Sequence, residues 1–139
     1  MSVLKVLLAE DNPGDIFLVK EALAQHHITH EMYVVRDGGE AFAFVSRMGG
    51  SDGDPCPDIV LLDLNLPKVD GPEILIEIRK HPECAHTPVI VMSSSDTNKD
   101  RDRMDALGVT CYFRKPSDLD EFLQLGDLVK KVVEEDARF

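Results

Sequence analysis

Asp63 closes a run of four apolar residues, Ile59-Val60-Leu61-Leu62, and Glu10-Asp11 close another, Val3 to Ala9. Two further strand-like segments end in polar groups of other kinds, Val89 to Met92 in Ser93 and Cys111 to Arg114 in Lys115. A carboxylate at the end of a buried strand can serve as a nucleophile or a metal ligand. Taken singly, each residue also has an ordinary role. Glu10-Asp11 could be the acidic start of a helix, Ser93 a turn residue and Lys115 a solvated surface lysine. What matters is whether the fold gathers them.

The elements that must do the gathering are legible as runs and stops. Ile59 to Leu62 lack alternation, as expected of a strand covered on both faces in a parallel sheet. Pro67 and Gly71 force a loop before the next helix. Val3 to Ala9 read as the first strand. Asn12 then caps a helix with Pro13 at its first position and Asp15 near the positive end of its dipole, and Leu18, Val19, Ala22 and Leu23 face inward. Glu31 to Val35 read as the second strand, Asp37-Gly38-Gly39 as a turn, and Ala41, Phe42, Phe44 and Val45 as part of a second helix. Met48 to Pro57, rich in Gly and Pro, reads as an exposed loop. Asp70 with Glu73 makes a capping box for the third helix, whose buried face is Ile74, Leu75 and Ile78. Thr97 and Asp100 frame a fourth helix that stops at Gly108. Ser117 and Asp120 cap the last helix, which runs to about Glu135.

Five strands alternate with five helices, without repeats, in a single domain over residues 1–139. That alternation predicts an α/β fold with a doubly wound parallel sheet, flavodoxin-like, in strand order 2-1-3-4-5. In such sheets ligands collect over the carboxyl ends of the strands, where the order reverses beside the first strand. Glu10, Asp11 and Asp63 would converge on that crevice, with Ser93 and Lys115 at its border. Chance readily puts one polar residue there; the whole set is a constellation.

Composition narrows the functional class. A formal net charge of −11 opposes binding to a phosphate backbone, which calls for a basic face. The apolar start is interrupted by Lys5 and closed by Glu10-Asp11, too short for a signal peptide or a membrane span, so a cytoplasmic protein is expected. Cys56, Cys84 and Cys111 form no CxxC pair and cannot all be paired within one chain, which suggests a reducing compartment and thiols acting as small hydrophobes. His26 and His30 have i, i+4 spacing, but the helix should end between them, so they make a poor metal site.

The set Glu10-Asp11, Asp63 with Pro67 and Asp70-Gly71, Ser93 and Lys115-Pro116 resembles the two-component response-regulator receiver domain, over nearly the whole chain. The resemblance implies that Asp63 accepts a phosphoryl group from a histidine kinase. It further implies that Mg²⁺ is bound by Glu10 and Asp11, by Asp63 and by the backbone carbonyl of Asn65. Ser93 and Lys115 match the hydroxyl and lysine that contact the phosphoryl group, and Tyr112 matches the aromatic switch of the fifth strand. Serine at position 93, where threonine is commoner in the family, keeps the hydroxyl. Asp11-Asn12-Pro13-Gly14-Asp15 more narrowly resembles stand-alone receivers that partner phytochrome-type histidine kinases.

The chemistry suits these residue types. Three carboxylates repel an incoming phosphoryl group, and a hard divalent cation together with the lysine ammonium relieves that repulsion. A phosphoryl dianion would then offer Ser93 a charge-assisted hydrogen bond, moving the loop after the fourth strand and turning Tyr112 inward. The chain is thus expected to be a switch rather than an enzyme acting on a metabolite. With no output domain after Phe139, it would signal by protein contact or by relay to a downstream phosphotransfer or effector protein. A homodimer is a further expectation. Leu119, Phe122, Leu123, Gly126, Val129 and Val133 supply a core stripe in the last helix, while Leu125, Leu128 and Val132 form a second apolar line, which either widens that core face or meets another chain through the helix 4, strand 5, helix 5 face.

Two other classes compete. Asp63-Leu64-Asn65 is superficially similar to aspartate-nucleophile phosphatases, but these need a second acid where Asn65 stands. A pseudo-receiver that binds partners without phosphorylation is the other, and intact Asp63, Glu10, Asp11 and Lys115 count against it. No GxxxxGK[ST] or GxGxxG run points to nucleotide binding.

Overall fold

A computed structural model describes residues 3–47, 56–68, 71–93 and 101–135. Along the chain run β1 (Leu4–Ala9), α1 (Pro13–Gln25), β2 (His30–Val35), α2 (Gly38–Ser46), β3 (Ile59–Asp63) and α3 (Gly71–Lys80). A 3₁₀ turn (Pro82–Cys84) leads to β4 (Val89–Ser93), α4 (Arg101–Ala106), β5 (Cys111–Arg114), α5 (Leu119–Phe122) and α6 (Leu125–Glu135). The five strands form one parallel sheet in the order β2-β1-β3-β4-β5, as the sequence pattern predicts. Among the described residues no helix is long and apolar enough to cross a membrane.

Why the central strands lack alternation is visible in the core. Leu7, Val60, Leu62, Val89 and Val91 face one layer with α2 and α3. Their chain neighbours Val6, Leu8, Ile59, Leu61, Ile90 and Met92 face the other, with α1 and α6. Both faces of β1 beyond Lys5, and of β3 and β4, are therefore buried, and those positions are apolar until the strand emerges. The register pairs Ala9 with Leu62 and Asp63 with Met92, so the strands end at a common edge.

Local signals behave as their chemistry requires, with instructive exceptions. Asn12 caps α1, its Oδ1 accepting from the Asp15 amide at 3.1 Å, and Pro13 opens the helix. Gly108 ends the α4 turn at φ +81°, a conformation that favours glycine. His26 and His30 are indeed divided, one just past α1 and the other opening β2, a residue earlier than expected. Asp37-Gly38-Gly39 is not a free turn. Asp37 caps α2, accepting from the Glu40 amide at 2.8 Å, and both glycines are helical. The cap of the last helix is Asp118 rather than Ser117 or Asp120, and the helix is divided into α5 and α6. Asp70, Thr97 and Asp100, expected to cap α3 and α4, lie outside the described residues, as does most of the Gly-rich loop before Cys56.

Two expectations need correction. Cys56 and Cys84 are bonded as a disulfide, with Cα atoms 5.8 Å apart, so only Cys111 is a free thiol. The β3 and β4 entries are neighbours at the amino edge of the sheet, which brings together cysteines 28 residues apart in sequence. The second apolar line of the last helix is not a separate face. Leu125 and Val132 are in the core and Leu128 packs against it, whereas Leu119, assigned to the core stripe, is 56% exposed. One wide buried face replaces two stripes.

Gly126 is where that face meets α1. A Cβ there would collide with the Ala22 carbonyl oxygen and with the His26 ring. Gly126→Ala gains about 1 kcal/mol of helix propensity, yet it must push apart two helix backbones at a cost of about 1–3 kcal/mol. Net destabilisation is expected, read as a lower urea midpoint at unchanged slope.

Candidate functional site

The carboxyl edge of the sheet gathers four of the predicted residues into one ionic cluster. Glu10, the first residue past β1, is completely buried. Its Oε1 accepts from the Asn12 amide at 3.1 Å and its Oε2 from the Lys115 ammonium at 2.6 Å. Asp63, last of β3, is 2% exposed. Its Oδ1 accepts from the Asn65 amide at 3.0 Å and its Oδ2 from Lys115 at 3.2 Å. Asp11 lies on the open side of the cluster, exposed. One carboxylate oxygen from each of Glu10, Asp11 and Asp63 lies within 4.8 Å of the others.

Lys115 reaches the cluster because β5 ends one residue earlier. Its amide donates to the Ser93 carbonyl at 2.7 Å, joining the ends of β4 and β5. Its side chain is nearly buried and its ammonium meets a third carboxylate, Asp15 Oδ2, at 2.9 Å. Asp15 is the member that sequence reasoning missed. It was read as a dipole-favouring residue of the first helical turn, and the available signal was its place one turn beyond Asp11 in a helix that starts at the crevice.

The electrostatics follow from burial. Burial pushes the Glu10 carboxyl up to about 7, even though the hydrogen bond from Lys115 pulls the other way. For Lys115, burial alone would favour the neutral amine. The hydrogen bonds to Glu10 and Asp15 and the charge of Asp63 outweigh it and hold the ammonium above the ordinary lysine range. The site therefore has an excess of negative charge that one lysine cannot balance.

Such a donor set fits a cation. All three clustered ligands are carboxylate oxygens, hard donors suited to a hard divalent ion rather than to a soft thiophilic metal. Glu10, Asp11 and Asp63 are the residues that would hold it, and Asn65 follows Asp63 closely enough to be tied to it through its own amide.

Tyr112 stands apart from the ionic cluster, whereas Ser93 adjoins it through the Lys115 amide. Ser93 ends β4 one position beyond Met92, the partner of Asp63, and is half-buried. Tyr112 faces α4. Its one hydroxyl proton has Asp105 Oδ1 at 2.8 Å as the nearer acceptor and the Arg101 carbonyl at 3.2 Å beside it, and the Arg101 guanidinium lies 4.2 Å from the ring centroid. Partial burial and the Asp105 carboxylate push the phenol up to about 12. The aromatic of β5 is thus fastened to the surface of α4, through contacts no sequence motif announced.

An acidic, lysine-closed pocket at the carboxyl edge of a 2-1-3-4-5 parallel sheet defines a cation-ready switch site of the kind that handles phosphoryl groups. The model of the response regulator receiver domain matches residues 6–126. The chain belongs to that family. Response regulator Rcp1 of Synechocystis sp. is 39% identical over 120 residues, 86% of this chain and 82% of that one. Among solved structures, the phosphorylated cyanobacterial phytochrome response regulator RcpA matches with a TM-score of 0.82 at 38% identity over 96% of each chain. The Mn²⁺-bound form of response regulator Rcp1 matches with a TM-score of 0.82 at 36% identity, over 96% of this chain and 97% of that one.

The fastening of Tyr112 is directly measurable. In a Tyr33→Phe background, which leaves one tyrosine, Asp105→Asn should move the phenol's titration midpoint from about 12 down toward the unperturbed 10. The sign follows from removing a carboxylate that disfavours phenolate, and alkaline absorbance titration reads it. An unmoved midpoint would show that Asp105 does not hold the hydroxyl.

Proposed function

We propose that the protein is a phosphorylation-controlled switch in which Asp63 accepts a phosphoryl group from the phosphohistidine of a histidine kinase. The observation that carries this reading is the buried Asp63 carboxylate, 3.2 Å from Lys115 and clustered with Glu10 and Asp11. A carboxylate oxygen of Asp63 attacks phosphorus, the P–N bond of the donor breaks, and the imidazole leaves with the electron pair and takes up a proton. Lys115 offers its ammonium to the phosphoryl oxygens, and Asn65 keeps the Asp63 carboxylate oriented through its amide. Mg²⁺, held by Glu10, Asp11, Asp63 and the Asn65 carbonyl, would supply charge neutralisation between the carboxylates and the phosphoryl group. No external metabolite is processed; the protein's own chemistry is limited to gaining and losing the phosphoryl group.

The names of the similar proteins support a phytochrome-type kinase as the donor. The receiver domain would then signal through its own surface, by phosphorylation-dependent contact or by relay to a downstream phosphotransfer protein. Ser93 is placed in this reading as the hydroxyl that engages the phosphoryl group, and Tyr112 as the aromatic that leaves α4 when it does. A cytoplasmic setting goes with a kinase donor. Its reducing conditions would open the Cys56–Cys84 bond at the sheet edge opposite Asp63. A homodimer across α4, β5 and α6 remains part of this reading, although Leu128 and Val133 pack on the core and offer it only their outer edges.

Intact mass after treatment with acetyl phosphate is the decisive test. One phosphoryl adduct is expected with Mg²⁺, none without it, and none in Asp63→Asn. Absence of the adduct in the wild type would leave a phosphorylation-independent interaction module. Light scattering of the same samples tests the homodimer, which should form or strengthen on phosphorylation; a monomer in both states removes it.

A further inference from the structure

The Lys115 ammonium has three N–H donors and spends them on three carboxylates, Glu10 at 2.6 Å, Asp15 at 2.9 Å and Asp63 at 3.2 Å. Two of these, Glu10 and Asp63, belong to the cluster that fits a cation, and Asp15 does not. A cation and a lysine cannot both be served well by the same oxygens. With Glu10 and Asp63 engaged with a cation, Asp15 is the partner that Lys115 retains. The geometry suits that task. The Asp15 amide is fixed by the Asn12 cap at 3.1 Å, so its side chain leaves the first turn of α1 from a set position. The Lys115 side chain is only 10% exposed and that of Asp15 only 24%, so the pair is partly shielded from solvent screening.

We propose that Asp15 is a positioning residue for Lys115: it tethers the ammonium to α1 and offsets its charge, so that a divalent cation is admitted beside a lysine that would otherwise repel it. This deepens the proposed phosphoacceptor function, on which only the second of the two readouts below rests. The same offset has a cost for the later step. A carboxylate that shares the ammonium competes with phosphoryl oxygens for it and repels the incoming anion. Asp15 therefore trades phosphoryl attraction for metal affinity, and its removal should move the two in opposite directions.

That opposition separates positioning from simple structural support. Calorimetric titration of the intact protein with Mg²⁺ alone should show about three- to tenfold weaker binding in Asp15→Asn, the scale of one unit charge at short range in a partly screened site. At saturating Mg²⁺, the rate of acetyl phosphate-dependent adduct formation should rise about two- to fivefold relative to wild type. Asp15→Glu, which keeps the charge, should restore most of the Mg²⁺ affinity. Urea unfolding of each variant checks that the fold is retained. Unchanged Mg²⁺ affinity in Asp15→Asn overturns the proposal, and so does a parallel fall in metal affinity and saturated rate. If the wild type itself takes no phosphoryl group, the phosphoacceptor reading fails, and the Mg²⁺ titration still decides the role of Asp15.

Discussion

Crowding of like charge at one edge of the sheet is the constraint that the rest of this structure serves. Glu10, Asp15 and Asp63 converge on a single ammonium, with Asp11 on the open side. A buried ion costs several kcal/mol in lost hydration unless its partners are well placed. Glu10 meets that condition only because Lys115 arrives from a strand more than a hundred residues away in sequence. The cluster is thus a long-range closure, joining β1, β3, β5 and the first turn of α1. It is also incomplete, since one lysine leaves an excess of carboxylate, and that excess is what suits the pocket to a cation.

The apolar layers make such a cluster affordable in geometry as well as energy. β1 and β3, buried on both faces, cannot slide without exposing or inverting a full set of side chains. Their end residues are therefore fixed to a fraction of a side-chain length. At the opposite edge, Arg79 holds the other side of the sheet in register. Its guanidinium donates to the carbonyls of Leu107, Gly108, Ala85 and Thr87, at 2.8 to 3.0 Å, and so stitches the end of α3 to the β4 entry and to the turn between α4 and β5. Burial lowers its affinity for its proton, but four carbonyl acceptors keep the side chain useful only as a guanidinium. The turn after α4 is consequently pinned from below, while Tyr112 touches the same helix near both of its ends, at Arg101 and Asp105, through surface contacts.

The strands, their order and the ionic residues were legible because a parallel sheet imposes a strong and simple code. Short unalternating apolar runs bounded by turn signals read as buried strands, and a charged residue at the end of one stands out. Asp15 was hidden for the opposite reason: an aspartate in a first helical turn already has a sufficient explanation, so nothing in the sequence asks for a second. Asp37-Gly38-Gly39 misled because glycines signal turns, while the cap at Asp37 and the helical fit of Gly38 and Gly39 are properties of backbone geometry. The two lines of the last helix merged because the curvature of the packing against α1 and the sheet widens the buried face, which periodicity alone cannot tell. Cys56 and Cys84 are brought together by the β3–β4 pairing and the 3₁₀ turn, a contact of tertiary origin. The holders of Tyr112, Arg101 and Asp105, are surface charges on a short helix, and their types carry no message until the strand beside them is placed.

Magnitudes indicate how such a structure can be poised. Holding Tyr112 against α4 involves exposed hydrogen bonds worth about 0.5–1.5 kcal/mol each and a surface cation–π contact worth about 0.5–1 kcal/mol. A phosphoryl group on Asp63 would offer Ser93 a charge-assisted bond of about 1.5–3 kcal/mol. On the proposed reading the two sides would be of the same order, so neither arrangement would be locked by a large margin. A difference of only about 1.4 kcal/mol moves the population tenfold. A more strongly buried tyrosine would not yield to one new bond, and an unfastened one would give no contrast between states. The half-exposed, hydrogen-bonded setting of Tyr112 sits between these limits, which is where a reversible covalent signal has the most leverage.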